Sequence, residues 1–469
     1  MNSILAGKYM DDTLQTQINE EQRSMNQRSL FFLWFGSNLT VADFALGVLV
    51  ESYGMSVFYT LLALVIANSG GGALVAVMSY LGPKTGLGQM EISKRSLGTG
   101  GGKIFSLLQF MNTVGWLSVN LIISARALQF VLTDQHSTNH IFMGLDLMEL
   151  LSLFLVMLFI SLTVVYGHKT VKSFEKIMSV VLGIMFLFLS ISIIISPSRF
   201  ISAYSGNFSI VAFTSVIMLS FSYIMSWAPY AADYSRYIPG GKNKQMAALI
   251  FTLLGSGIAS FLVEVIGFYV GIDLNLDGIF TNSLFVPLLG GVWFIGSITL
   301  FLGGLSANAL NIYSNLMSIR ALGFKAARKY IIFIVGALTI IMGLLFYSDF
   351  SSYFEGFLYV LDYWITPWIG VMIGEYFIGR RTEIFKGKIN LNPIIAYVFS
   401  ITLSIPFMDT IQYYFNLNIP FYAITFGVDY SYLISFVLAI LLTSIFESKI
   451  DLNGRVGKIT AKSDTSGMK

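Results

Sequence analysis

Apolar residues in this chain come in runs of about 20, each long enough to cross a ~30 Å hydrocarbon core as a helix. Twelve such runs are read, at 28–50, 57–81, 104–132, 146–166, 177–196, 208–231, 246–271, 288–319, 330–347, 356–378, 392–410 and 431–447. Polar stretches at 1–27 and 448–469 flank them, and short polar breaks separate them. If the N-terminus is inside, all 28 Lys and Arg residues except Arg126 and Arg199 fall in inside segments, while the outer breaks carry Asp134, Asp273, Asp277, Asp349, Glu355 and Asp429. Cytoplasmic loops concentrate Lys and Arg in this way. The pattern predicts an all-α polytopic protein of the cell membrane, with a transport domain over 28–447 and cytoplasmic tails at 1–27 and 448–469. The polar start has no apolar segment behind a basic end, so it does not read as a signal peptide.

Composition agrees and narrows the chemistry. Of the 469 residues 55% are hydrophobic and only 11% charged, against roughly 25% charged in a soluble domain, and the mean hydropathy is +0.74. With no cysteine, disulfides, thiolate metal sites and cysteine nucleophiles are excluded, and three histidines leave little for a histidine metal site. A net charge of +3 is too small for a nucleic-acid footprint, so the expected partners are a small molecule and the lipid bilayer. No P-loop, haem-spaced histidines or filter motif is present, and no cofactor is expected. A membrane bundle without these features points to a secondary transporter.

Polar groups and helix breakers inside membrane-length runs mark where function is written. Run one holds Gly36-Ser37-Asn38-Leu39-Thr40-Val41-Ala42-Asp43 at its middle, which reads as an interrupted helix lining a cavity, or else as a continuous helix packed through small residues. Run three places Asn112, Trp116 and Asn120 on one stripe by their spacing of four. Such a stripe offers a flat heteroaromatic ligand an indole to stack on and amides for its edge; the alternative is a Trp and two Asn packed against neighbouring helices. Run six ends in Ser226-Trp227-Ala228-Pro229, a second expected break, with Asp233 and Arg236 read as a structural pair beyond it. Run eight carries a further amide stripe of Asn308, Asn311 and Asn315, which must face protein or a cavity. Matching features five helices apart, breaks in one and six and amide stripes in three and eight, predict an inverted repeat with its site between the halves.

At these residues the sequence resembles a known family. Trp34-Phe35-Gly36-Ser37-Asn38 with Ala45-Leu46-Gly47, Gly82-Pro83-Lys84-Thr85-Gly86-Leu87-Gly88-Gln89 with Lys94-Arg95-Ser96-Leu97-Gly98, Gly115-Trp116, Trp227-x2-Tyr230-Ala231-Ala232-Asp233-Tyr234 and Asn311-Ile312-Tyr313-Ser314 are similar to the purine-cytosine permeases, a family of nucleobase:cation symporters. The likeness runs in order through runs one to eight, and the fungal-type permeases are closest in motif. It implies a LeuT-type fold, with helices one to five and six to ten as inverted repeats and two extra helices. It further implies a substrate ring held between Trp116 and a helix-six aromatic, with Asn120 and Asn311 on its edge. That aromatic is Trp227 by the fungal-type pattern, whereas bacterial members place it about three residues earlier, at Ile224 here. Thr40, Asn112 and Asn308 complete the candidate substrate set. Sodium-coupled members hold the ion by helix-one carbonyls and helix-eight hydroxyls, which here are Gly36, Leu39 and Ser306, while Leu305 stands where a second hydroxyl is usual. Proton-coupled relatives are the alternative, with Asp43 as the titrating group, so the coupling cation is expected to be H+ or Na+.

The resulting expectation is import of a purine or cytosine-like nucleobase by cation symport and alternating access. Allantoin, a hydantoin, thiamine or a pyridoxine-like vitamin are the alternatives, because an aromatic plate with amides does not encode one ring. An intramembrane enzyme is the remote rival, and it lacks a visible nucleophile, metal triad or acid pair, the histidines being confined to positions 136, 140 and 168.

Overall fold

Run one folds as two helices, α1 (Arg28–Asn38) and α2 (Val41–Glu51), that meet at 56°. The break follows from local chemistry. Thr40 is extended, and its Oγ1 accepts the Asp43 N–H at 3.2 Å, a side-chain cap that restarts the helix two residues after the first one ends. The structure is a computed structural model and describes residues 17–132, 142, 144–165, 168–195, 207–272, 294–324, 327–379, 385, 387–408 and 428–449. Arg199, Asp134, Asp273, Asp277 and the outer parts of both tails lie outside the described residues.

The remaining helices are α3 (Val57–Thr85), α4 (Gln89–Leu132), α5 (Leu147–Val165), α6 (His168–Ile195), α7 (Ile210–Met225), α8 (Ala231–Ser235), α9 (Lys242–Gly271), α10 (Phe294–Leu322), α11 (Arg328–Phe346), α12 (Phe350–Ile373), α13 (Leu391–Ser404) and α14 (Ser431–Lys449). Each run read from the sequence therefore contains helix. Among the described residues eight helices are long and apolar enough to cross a membrane, nine with the bent α1–α2 pair, and shorter apolar helices occupy Lys176–Ile191, Leu391–Phe407 and Ser431–Phe446. Exposed side chains on these helices are apolar and recur every three or four residues, as in Leu151, Phe154, Leu158 and Leu162 of α5, or Met246, Ile250, Leu254, Ile258 and Leu262 of α9. Such stripes belong against lipid, and the chain is an integral membrane protein.

One element differs from the sequence reading, and a second matches it except for the sharpness of its bend. Run three begins at Gln89, not near residue 104, because the basic loop before it is itself helical up to Gly98, whose φ of +82° and ψ of 166° only glycine adopts comfortably. The chain turns there against the α12–α13 connection: the Gly100 N–H donates to the Lys388 carbonyl at 2.7 Å, and the Asn390 N–H to the Leu97 carbonyl at 2.9 Å. Run six is interrupted by a 3-10 turn at Ala228–Tyr230 built around Pro229, but Ile210–Ser235 still reads as one apolar span, so the sharp bend is confined to run one among the described residues.

The helices sort into two groups. α1, α2, α3, α7 and α9 pack on one another, and α4, α5, α10 and α11 form a second set in which α4 and α10 make the most extensive contact. α12, α13 and α14 pack side by side. The described end of the N-terminal segment is docked, not loose: the Ile18 N–H donates to Gly86, the Met25 N–H to Tyr237, and Arg23 reaches the Pro83 carbonyl at 3.1 Å while pairing with Glu20.

α2 and α9 touch backbone to backbone. A Cβ on Gly47 would lie 2.1 Å from the Glu264 carbonyl oxygen, and one on Gly267 would lie 2.1 Å from that of Phe44. Small residues permit such approach in membrane helices. Gly47→Ala or Gly267→Ala must push the helices apart, and each is expected to destabilise the protein by about 1–3 kcal/mol, read as a lower midpoint of thermal unfolding in detergent. A midpoint equal to the parent's would show that this contact bears no load.

Candidate substrate and cation site

Helix α4 presents one polar stripe to the middle of the protein. Gln109, Asn112, Trp116 and Asn120 are all buried, and on each one polar atom lacks a hydrogen-bond partner: Gln109 Nε2, Asn112 Oδ1, Trp116 Nε1 and Asn120 Oδ1. Their remaining groups are fixed locally. Asn112 Nδ2 donates to Gln109 Oε1 at 2.9 Å, and Asn120 Nδ2 to the Trp116 carbonyl at 2.9 Å. These bonds orient the amides and leave their oxygens available, as a donor-bearing ligand would require.

Around Trp116 stand three edge-on aromatic rings, those of Tyr223 and Phe357 with centroids at 5.2 Å and that of Phe354 at 6.4 Å. Phe357 lies where a Cβ on Gly115 would fall, 2.3 Å from its ring. A glycine before the tryptophan therefore lets the α12 aromatics close on it. The helix-six ring in contact with Trp116 is Tyr223. Trp227 meets Trp34 at 5.6 Å and Tyr230 at 5.0 Å and is not among the rings packed on Trp116, and Ile224 is fully buried.

The amides of α10 face α4. Asn311 accepts from the Tyr230 hydroxyl at 3.2 Å and donates to Asn308 Oδ1 at 3.2 Å; Asn308 donates in turn to the Leu117 carbonyl at 3.1 Å. Asn315 donates to Thr113 Oγ1 at 2.7 Å and leaves its own oxygen unpaired. The stripe thus faces protein, as burial of three amides requires.

The residues of the break gather on the other side. Thr40 and Tyr223 share a hydrogen bond between hydroxyls at 2.7 Å. The Leu39 carbonyl comes against α10, 2.9 Å from a Cβ placed on Gly303, which brings the helix-one break beside helix eight. The Gly36 carbonyl accepts the Leu39 N–H at 3.3 Å, and Ser306 is buried and already engaged. With Leu305 contributing no oxygen, this donor set does not fit a sodium ion well. Asp43 points elsewhere: its Oδ1 accepts from Ser260 Oγ of α9 at 2.8 Å, its Oδ2 has no partner, and its carboxyl lies close enough to that of Glu264 for the two to act on each other's charge.

Glu264, Tyr223 and the α12 rings were not singled out in the sequence. Glu264 was open to detection, because it is the lone acid of a 30-residue apolar helix. A second buried acid, Asp362 of α12, accepts from Ser222 of α7. Asp233 accepts the Gln89 N–H at 2.8 Å and the Ser314 hydroxyl, which ties the end of helix six to the start of α4 and to α10.

Residues 17–439 match the family described as permeases for cytosine/purines, uracil, thiamine and allantoin. The chain belongs to this family. Among curated relatives of this permease, YxlA of Bacillus subtilis, named for the purine-cytosine permeases, is 25% identical over 84% of this chain and 88% of its own. The purine-cytosine permease FCY2 of Saccharomyces cerevisiae is 26% identical over 75% and 67%, and the yeast vitamin B6 transporter TPN1 is 23% identical over 74% and 62%. In fold the permease is similar to Mhp1, a nucleobase-cation-symport-1 family transporter seen in a closed conformation with bromovinylhydantoin bound, at a TM-score of 0.73 and 16% identity over 92% of this chain and 94% of Mhp1. A sodium-coupled sialic acid symporter shares the fold at a TM-score of 0.59 and 12% identity, over 95% and 97%. The LeuT-type architecture expected from the sequence is therefore that of the protein.

Proposed function

We propose that this permease imports a nucleobase, a purine or a cytosine-like pyrimidine, by cation-coupled symport across the cell membrane, with both chain termini in the cytoplasm. The observation that carries the reading is the α4 stripe, an indole with a free N–H between amide oxygens that lack donors. A nucleobase edge presents ring N–H and amino donors beside acceptors, and its flat face suits the indole. In this reading Trp116 and Trp227 border the ring, with Tyr223 closing behind Trp116, while Asn120 and Asn311 read its edge and Asn112, Asn308 and Thr40 support them. The mechanism is alternating access without covalent chemistry. Gly36, Leu39 and Ser306 are the positions a sodium ion would take, but their oxygens make a poor donor set for it, which favours the proton as the coupling cation.

A pyridoxine-like or hydantoin substrate is the second reading, favoured by the yeast vitamin B6 relative and by the hydantoin bound to Mhp1. Thermal unfolding of the purified protein with a panel of nucleobases, allantoin, hydantoins, thiamine and pyridoxine decides between them, since a ligand of the folded state raises stability by RT ln(1 + [L]/Kd). Stabilisation by adenine, guanine, hypoxanthine or cytosine alone is the expected result, and stabilisation by pyridoxine alone would replace the first reading with the second.

Asn120→Leu and Asn311→Leu should reorder the preference among bases. A substrate group left without its partner in a buried site loses roughly 1–3 kcal/mol, and the loss falls only on bases that present that group. Equal weakening for every base would assign both amides to packing.

A further inference from the structure

Asp43 and Glu264 form a buried acid pair between α2 and α9. Both are fully buried where α2 and α9 touch: Asp43 is held by Ser260, Glu264 stands one turn beyond Ser260 on the same face of α9, and the two carboxyls are close enough to act on each other's charge. Asp43 accepts from Ser260, and Glu264 accepts from Asn68 of α3 at 2.5 Å. One oxygen of each, Asp43 Oδ2 and Glu264 Oε1, has no donor. Among the described residues the other titratable groups facing the pair are Tyr223 of α7 and, behind it, Tyr230, and no Lys, Arg or His stands against it from any packed helix. Two carboxylates this close and away from water cannot both stay ionised without a cation between them. The helices offer no room for separation, because Gly47 and Gly267 hold α2 and α9 in backbone contact one turn from the acids.

The pair is also joined to the substrate site. The Asp43 N–H is held by Thr40 Oγ1, the Thr40 hydroxyl bonds that of Tyr223, and the Tyr223 ring rests against Trp116. A change of charge at Asp43 therefore acts on the cap of α2 and, through one side chain, on the wall of the proposed nucleobase site.

We propose that Asp43 and Glu264 together are the proton-coupling site, holding one shared proton that enters from water on one side of the membrane and leaves to water on the other; this rests on the transport reading above. Only O–H bonds form and break. With the proton the pair is singly charged and joined by a hydrogen bond. Without it, repulsion between two carboxylates bears on the α2–α9 contact and displaces Thr40 and Tyr223, so the protonated pair favours the substrate-holding arrangement.

The test uses full-length protein in proteoliposomes with radiolabelled adenine and cytosine. The parent should accumulate base against its gradient when the pH outside is lower, with or without sodium. Asp43→Asn and Glu264→Gln, which keep shape and hydrogen bonding, should still exchange base across the membrane but lose accumulation driven by the pH gradient. Accumulation still driven by pH in both variants, or driven in the parent by sodium alone, would overturn the proposal. A second readout needs no substrate: in parent-minus-variant infrared difference spectra, which cancel the band of any other buried acid such as Asp362, the carbonyl stretch of a water-excluded carboxylic acid should appear for both variants. If the parent moves no base, the transport reading fails by itself, and the infrared band then decides whether the pair holds a proton; its absence would sink the pair as well.

Discussion

Trp116→Ala is expected to weaken nucleobase binding at least tenfold. Stacking on an indole contributes about 0.5–1.5 kcal/mol beyond burial of area, and the area lost with it adds further, so the sum passes the 1.4 kcal/mol that a tenfold change in Kd represents. The loss should exceed that of any amide substitution, because no other side chain of the α4 stripe offers a face. Stability complicates the measurement: Trp116 packs on Tyr223, Phe354 and Phe357, and a buried Trp→Ala can cost about 3–5 kcal/mol of folding free energy. Trp116→Phe separates the two effects. It keeps an aromatic plate and most of the packing while removing the indole N–H, so it should fold nearly as well as the parent and lose only the part of the affinity that the N–H supplies. Binding of base to both variants at the parent's Kd would remove Trp116 from the site.

What the sequence made legible and what it hid follow from the range of the forces involved. Membrane-length runs report on solvent, which acts on every residue separately, and so they are written locally. The break at Gly36–Asp43 was equally readable, since Thr40 caps the next helix within its own turn. Spacing of three or four put Asn112, Trp116 and Asn120 on one face, and Asn308, Asn311 and Asn315 on another, and both faces are buried. The partners of those faces are set by packing between helices, which no single run encodes. Tyr223 against Trp116 and Glu264 against Asp43 each join residues more than 100 positions apart. The helical loop before run three was hidden for a different reason: its basic residues marked it as polar, whereas its first turn is held by a carboxylate from α8, as Asp233 receives the Gln89 N–H.

That carboxylate is the subject of the second large effect. Asp233 accepts from the Gln89 N–H and the Ser314 hydroxyl, and Gln89 Oε1 accepts the Ala232 N–H at 3.2 Å in return. Beside it the Arg236 guanidinium donates to the hydroxyls of Tyr237 and Tyr313 at 3.2 and 3.3 Å, and it brings its positive charge close to Asp233. Asp233→Ala would strand a buried N–H and a hydroxyl and remove a negative charge close to the buried Arg236, at about 1–3 kcal/mol for each group left unsatisfied. Asp233→Asn keeps an oxygen for the Gln89 N–H and loses the charge alone, so its unfolding midpoint should fall between those of the parent and the alanine variant. The order parent, Asn, Ala separates hydrogen bonding from charge. If Asn matches Ala, the charge opposite Arg236 carries the whole effect; if Asn matches the parent, the bond to Gln89 does. An alanine variant as stable as the parent would mean that helix six, α4 and α10 are held at this end by packing alone.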